Sequence, residues 1–296
     1  MPRTFKNSFS WSFSRYNLFK FCELAYYFHY YGSWSGWDTY APKQIKEAFR
    51  LKHLISKKLW LNIIIKKSLL NAINCKPLSS STLAAEFKYQ SHRILSSDIS
   101  SIHSEEWRKD PKKICIDEIY YKTNSIDEII GWIKNKTADK IKILQNSKLL
   151  HKLSDLPYPA FLNTDRPLSF TMNHIQVWCS PDLVWNCQGE VNILNINNGF
   201  SWSFLAGLNM LYAEQNFNYM PNRIACHTVF VNEDRCFSVY GIRSPKEIVN
   251  IITETSKEML SRLTYNQKAY IVNFRKTTKQ EKCQTCQFRA ICQENP

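Results

Sequence analysis

The sequence predicts a mixed α/β protein of the α+β kind, helical through its first half and sheet-bearing in its second. Two observations carry that expectation. Up to about Leu153 apolar residues recur mostly at three- and four-residue steps, the spacing of one helix face. Beyond Leu156-Pro157 the texture changes to short apolar segments parted by turn residues, the signature of strands.

Taken in order, Asn7 to Tyr31 is dense in aromatics. Tyr16, Phe19, Tyr26, Tyr27 and Tyr30 are spaced for a helix or helix pair lying against a core. A loop with Gly32, Gly36 and Pro42 follows, and Lys43 to Asn74 reads as helix through Ile45, Phe49, Leu54, Leu59, Ile63 and Leu70. The serine-rich run from Leu78 to Thr82 breaks it. His92 to Leu153 is helical again, interrupted at Asp110-Pro111, because a residue before proline is pushed out of the helical region.

In the second half, Leu168 to His174, Gln176 to Val184 and Glu190 to Ile196 predict a β-meander. Ser201 to Phe217 has helical periodicity through Phe204, Leu208, Leu211 and Tyr212, and Arg223 to Tyr240 reads as a hairpin around Asn232-Glu233-Asp234. The order is β-β-β-α-β-β. Ser244, Pro245 and Glu247 then start a helix, with a capping serine, proline in the first position and a glutamate three residues on; Ile248, Ile251, Ile252, Met259 and Leu263 line one face. The expected organisation is a helical region over 1–155, a sheet core over 156–265 and a cysteine segment over 266–296, together one compact unit.

A chain of 296 residues with 44% apolar content can bury a substantial core. Its 39 Lys and Arg outnumber 25 Asp and Glu, for a formal charge of +14. That excess favours a polyanionic partner such as nucleic acid, although a basic surface also serves plain solubility. No run of about 18 uncharged apolar residues is present, and the start lacks the apolar stretch and small-residue cleavage site of a signal peptide. The expectation is a cytoplasmic protein without a membrane partner.

Ten cysteines in such a chain point to thiols rather than disulfides, most of them simply buried. Three stand together near the end: Cys283-Gln-Thr-Cys286, then five residues, then Cys292. Three sulfurs cannot close a tetrahedral site, so a fourth ligand must come from elsewhere, and Cys22 in Phe19-Lys-Phe-Cys22 is the candidate. A ligand from each end would staple the termini together. Zinc and an iron–sulfur cluster both accept four thiolates, and spacing alone leaves both open. Left unligated, three exposed thiols in ten residues would be an oxidation liability.

The segment Ser10 to Tyr31, with its serines, Phe19, Cys22 and tyrosines ahead of the closing cysteine triplet, resembles the iron–sulfur branch of the PD-(D/E)XK nuclease superfamily. That branch includes RecB-like CRISPR adaptation nucleases and the AddB nuclease domain. Tyr30-Tyr31-Gly32-Ser33-Trp34-Ser35-Gly36-Trp37 and Leu51-Lys52-His53-Leu54-Ile55-Ser56 are similar to standalone bacterial members, and the resemblance spans almost the whole chain. It implies a restriction-endonuclease-like core, with a central mixed β-sheet flanked by helices. It also implies a 4Fe-4S cluster on one early and three late cysteines, here Cys22, Cys283, Cys286 and Cys292, with zinc as runner-up.

Such nucleases cut phosphodiester bonds with Mg or Mn held by carboxylates, a lysine assisting nearby. By resemblance, Asp182 in Pro181-Asp182-Leu183-Val184 is a retained metal ligand. The next motif should read acid, any residue, lysine and then a turn glycine. The corresponding stretch is Ile193-Leu194-Asn195-Ile196-Asn197-Asn198-Gly199, with asparagine at both key positions. Asn195 is a neutral donor that binds magnesium far more weakly than a carboxylate, and Asn197 supplies no ammonium. Past Trp60, Asn62 and Lys66 stand where a glycine and a metal-binding histidine are usual, and a lysine there repels a cation. Leu208 stands where glutamine usually precedes Tyr212 by four residues. Lys66 is a conceivable substitute for the lost ammonium. Glu190, five residues from Asn195, points to the opposite face of a regular strand.

The expected function is therefore that of a pseudonuclease: a DNA-binding protein, or a subunit of a nucleic-acid-processing or phage-defence complex, whose cluster outlives a degraded cutting site. Tryptophans and tyrosines interleaved with Lys and Arg suit stacking on a single strand. The alternatives are an active metal-dependent DNA nuclease with a rearranged site, and a purely protein-binding scaffold.

Overall fold

The computed structural model describes residues 9–74, 79–146, 153–154, 161–162, 168–179, 181–187, 189–197, 202–217, 223–230, 235–240 and 245–293. Along the chain run β1 (Ser10–Ser12), α1 (Phe13–Phe21), α2 (Glu23–Tyr27), α3 (Lys43–Leu51), β2 (Leu54–Ile55), α4 (Lys57–Asn74) and α5 (Ser80–His103). Next come β3 (Cys115–Ile116), α6 (Asp117–Tyr120), α7 (Ile126–Gln145), β4 (Phe161–Leu162), β5 (Leu168–Met172), β6 (Ile175–Cys179), β7 (Leu183–Cys187) and β8 (Glu190–Asn197). The chain continues through α8 (Trp202–Phe217), β9 (Ile224–Phe230), β10 (Arg235–Tyr240), α9 (Pro245–Leu260), α10 (Gln280–Gln284) and α11 (Arg289–Gln293). The architecture is mixed α/β with helices predominating. No helix among the described residues is long and apolar enough to cross a membrane.

The contacts group the chain into two units, drawn along other lines than the sequence segments 1–155, 156–265 and 266–296. The first holds Met1–Leu54, Ser169–Cys179 and Ser244–Pro296; the second holds Ile55–Leu168 and Ser180–Arg243.

In the first unit, β1 pairs parallel with β6 and β6 neighbours β5. Trp11 on β1 is fully buried, its Nε1 donating to Thr255 Oγ1 on α9 at 2.9 Å. Ile248, Ile252 and Met259 are buried on α9 as its spacing predicts, whereas Ile251 is half-buried and Leu263 lies beyond the helix end at Leu260. Its capping Ser244 lies outside the described residues. Strand β1 falls inside the segment expected to be helical. Three residues show no usable period, and the strand exists because β6, over 160 positions later, supplies its hydrogen-bond partners.

The second unit is built on a five-stranded sheet of order β10-β9-β8-β7-β4. β4, β7 and β8 form an antiparallel run, β8 lies parallel to β9 from Val191↔Ile224 to Asn197↔Phe230, and β9 and β10 are antiparallel. Alternation along the strands buries both faces. Leu183, Trp185 and Leu194 join the core of α4, α5 and α7, whereas Val184, Val191, Ile193 and Ile224 pack against Ala206, Met210 and Ala213 of α8.

Three expectations are corrected. Lys43 to Asn74 is not one helix: the chain is extended at Leu54–Ile55 and restarts at Lys57, because Ser56 Oγ accepts the Leu59 N–H at 3.2 Å and the Glu118 carboxylate accepts the Lys57 N–H at 3.1 Å. The buried face of α4 runs through Trp60, Leu61, Ile64, Ile65 and Leu69 rather than through Leu59, which is 47% exposed. The helix is apolar nearly all round, so its period is ambiguous. The meander, finally, is divided: Gln176 to Val184 contains β6 and the start of β7, which belong to different sheets, and the first strand of the β-β-β-α-β-β order is Phe161–Leu162. The turn at Asn232-Glu233-Asp234, Leu156-Pro157 and Leu78 lie outside the described residues.

Candidate functional site

Helix is interrupted at Cys22. Its backbone is extended (φ −165°, ψ 122°) between α1 and α2, yet its N–H still donates to Leu18 O at 3.0 Å and its carbonyl accepts from Tyr26 at 3.0 Å. The buried Cys22 lines a cavity of about 510 Å³. Cys283 on α10, Cys286 in the following turn and Cys292 on α11, all half-buried, line the same cavity. Cys22 and the late cysteine triplet, over 260 positions apart, thus share one space. Cys115, Cys179 and Cys226 are buried and are not among the residues lining it, and burial pushes Cys179 and Cys226 up to about 12.

Four thiols around one cavity are a donor set that could hold a metal. The Phe288 N–H donates to Cys286 Sγ at 3.4 Å, and Lys276, Lys282 and Arg289 line the cavity with positive charge. Burial pushes the Cys286 thiol up to about 11; the Phe288 N–H opposes this, while charge on Cys22, Cys292 and Cys283 adds to it. Burial also raises Cys292, against the pull of Lys276. A metal held by these thiols would displace protons as it binds. Among the described residues no group of three or more His, Cys, Asp or Glu side chains is set to hold a metal ion as it stands.

A network around the cavity ties the early helices to the last segment. Glu23 receives Arg262 Nε and Nη2, each at 2.9 Å, and the Arg275 N–H at 3.1 Å. Burial works against the Glu23 charge, but these donors outweigh it and hold the carboxyl below its ordinary range. Lys282 Nζ donates to the carbonyls of Lys20 and Phe21 at 3.1 and 3.0 Å, satisfying the C-terminal end of α1. Phe28 packs on Phe288 with ring centroids 5.8 Å apart. None of Glu23, Arg262 or Lys282 stands out in the sequence, because their partners lie about 240 to 260 residues away.

His29 in this shell is held neutral. Burial lowers its pKa to about 4, helped by Lys52, His53 and Arg15. A depressed folded-state value contributes stability above the unfolded value near 6.5 that is lost as pH falls toward 4. Acidification over that range is expected to cost up to about 3 kcal/mol through His29. In urea titrations at several pH values, His29→Gln should flatten the dependence; an unchanged slope counts against it.

In the second unit, Asp182 precedes β7 and is 4% exposed. Its N–H donates to Leu194 O at 2.8 Å, and its Oδ2 accepts the Ile196 N–H at 2.6 Å. It is therefore anchored on both sides of Asn195. Its Oδ1 meets the ammonium of Lys66, which reaches across from α4. Burial raises the Asp182 pKa, and Lys66 and the Ile196 N–H oppose the rise. Asn195 is 5% exposed, and its buried Nδ2 has no hydrogen-bond partner among the described residues.

The structure thus brings Lys66, Asp182 and Asn195 together. Asn197 pairs through its backbone with Phe230, while its side chain, Asn198 and Gly199 lie outside the described residues. Glu190 sits at the far end of β8, opposite Cys187. Leu208 and Tyr212 are buried on α8. Trp60 is fully buried and donates from Nε1 to Asp98 Oδ2 at 2.8 Å. Compared with known proteins, the chain matches no family model and no curated protein.

Proposed function

We propose that this protein is a nucleic-acid-binding, cleavage-incompetent relative of the PD-(D/E)XK nucleases, its termini clasped by a 4Fe-4S cluster on Cys22, Cys283, Cys286 and Cys292. The observation that carries the reading is the Lys66–Asp182 ion pair. A metal-dependent nuclease needs its buried carboxylate free for a divalent cation. Here the carboxylate is neutralised from within the chain, and a neutral amide flanks it at Asn195.

The order of the second unit's sheet supports a restriction-endonuclease-like core: an antiparallel β4-β7-β8 run, the helix α8, then β9 parallel to β8, with Asp182 and Asn195 near the inner strands. The shared thiol cavity supports the cluster. Bound there, the cluster would supply thiolate crosslinks between the first helices and the last turn, a folding role independent of cutting. The charge of +14 supports nucleic acid as the partner.

The test is a gel-shift titration beside a cleavage assay on single- and double-stranded DNA. Binding is expected at low salt, weakening on the order of a thousandfold between roughly 50 and 200 mM salt, with no cleavage in Mg²⁺ or Mn²⁺. Cleavage abolished by Asp182→Ala would establish the active-nuclease alternative. A protein that ignores oligonucleotides at low salt would leave the scaffold reading.

A further inference from the structure

We propose that the loop from Ser33 to Pro42, with the lysines of α3 beside it, is a stacking platform for unpaired bases of single-stranded nucleic acid. The proposal deepens the nucleic-acid-binding reading and rests on it. Trp34, Trp37 and Tyr40 are 40%, 55% and 94% exposed. Three large aromatic side chains on ten residues is a heavy apolar load to leave in water.

The loop presents them on a rigid frame. Trp34, Gly36, Asp38 and Ala41 donate their N–H groups to the carbonyls of Tyr31, Ser33, Ser35 and Asp38 at 2.8–3.1 Å, one turn after another. Ser33 Oγ donates to His29 O at 2.8 Å. Gly36 lies so close to α3 that a Cβ there would fall 2.2 Å from Phe49 Cβ, which only glycine tolerates. Trp37 wedges edge-on between Trp34 and Phe49, at centroid distances of 5.2 and 5.9 Å. Trp34 and Trp37 are held in place before any ligand arrives, which lowers the ordering cost of binding, while Tyr40 stands almost wholly in water.

The surroundings favour a nucleic acid over a protein. Lys46 Nζ donates to the loop carbonyl of Thr39, and Lys43 is exposed beside it. Lys46 thus brings an ammonium onto the loop that carries Trp34, Trp37 and Tyr40, and a basic group beside stacking rings is the pairing that tracks phosphates while bases stack. A protein-docking surface calls for aliphatic bulk as well. Yet the large hydrophobics exposed in this unit, among the described residues, are Trp34, Trp37, Tyr40, Tyr265, Tyr270 and Val272, five of the six aromatic. Stacking uses π faces and no aliphatic pocket.

The experiment is a tryptophan-fluorescence titration of the full protein with oligothymidylate and, separately, with a blunt duplex of the same length. Oligothymidylate is expected to quench the fluorescence. Trp34→Ala/Tyr40→Ala should weaken single-strand binding about tenfold or more while changing duplex binding by less than about twofold. Tyr40→Ala alone, at a side chain almost wholly in water, guards against misfolding and should show part of the same selective loss. Unchanged single-strand affinity, or equal loss on both DNAs, overturns the platform and leaves nucleic-acid binding standing. Absence of binding to either DNA by the wild type overturns both. A stoichiometric protein that copurifies after nuclease treatment and is lost on Tyr40→Ala overturns the platform in favour of a protein surface.

Discussion

With the proposed 4Fe-4S cluster on Cys22, Cys283, Cys286 and Cys292, Cys22→Ser is expected to strip the purified protein of iron, acid-labile sulfide and the brown colour such a cluster gives, and to collapse the first unit. Structural metal sites built on cysteine contribute on the order of 10 kcal/mol to folding, as much as the whole net stability of an ordinary domain. The hydrogen bonds of Glu23, Arg262, Arg275 and Lys282 also join the termini, but exposed and half-exposed ion pairs add only about 1 kcal/mol each. They cannot hold the clasp once the crosslink is gone. Cys226→Ala, at a buried thiol in the second unit, is the control and should keep its iron. Iron and sulfide analysis, visible absorption and a thermal melt read the result. Zinc without iron in the wild type would overturn the cofactor assignment, and full iron in Cys22→Ser would remove Cys22 from the ligand set.

Lys66→Ala is expected to lose about 2–3 kcal/mol of stability at pH 7 and much less near pH 4. Breaking a fully buried pair costs about 3–5 kcal/mol, and the 42% exposure of the Lys66 side chain places this pair below that range. The pH dependence follows from Asp182, whose folded-state pKa is raised by burial. A raised value means stability that is fully present below the unfolded value near 3.9 and lost as pH rises through the folded value. Removing the ammonium raises that folded value further, so the penalty grows toward neutral pH. Asp182→Asn in the same background should recover most of the loss, because an amide needs no counter-charge. Denaturant titrations at the two pH values decide it: an equal loss at both would mean that Lys66 acts through packing of its stem instead. The variant should still cut no DNA, since Asn195 restores no second carboxylate.

The α9 helix was legible because it has one side to bury and a clear period, with Ile248, Ile252 and Met259 buried where the spacing puts them, whereas α8 is buried continuously from Ala206 to Ala213 and is marked by its apolar length rather than by one face. The break inside Lys43 to Asn74 was not. Its cause is a serine cap and the Glu118 carboxylate arriving from 61 residues away, neither of which alters hydrophobic periodicity. The division of the meander between two sheets was equally hidden. Strands read alike in sequence, and the partner of β6 is the three-residue β1 far upstream.

What the sequence by itself determined is the chemical inventory: three clustered cysteines and a distant fourth, a lone Asp182, asparagines at 195 and 197, a lysine at 66, and a charge of +14. From the sequence Lys66 reads as a group that repels a metal, with a substitute ammonium as the conceivable alternative. Only the tertiary structure sets the ammonium directly on Asp182 and the four cysteines around one cavity. Residue type is local information. Contact between residues more than 100 positions apart is set by which buried faces pack together, and that is a property of the whole fold.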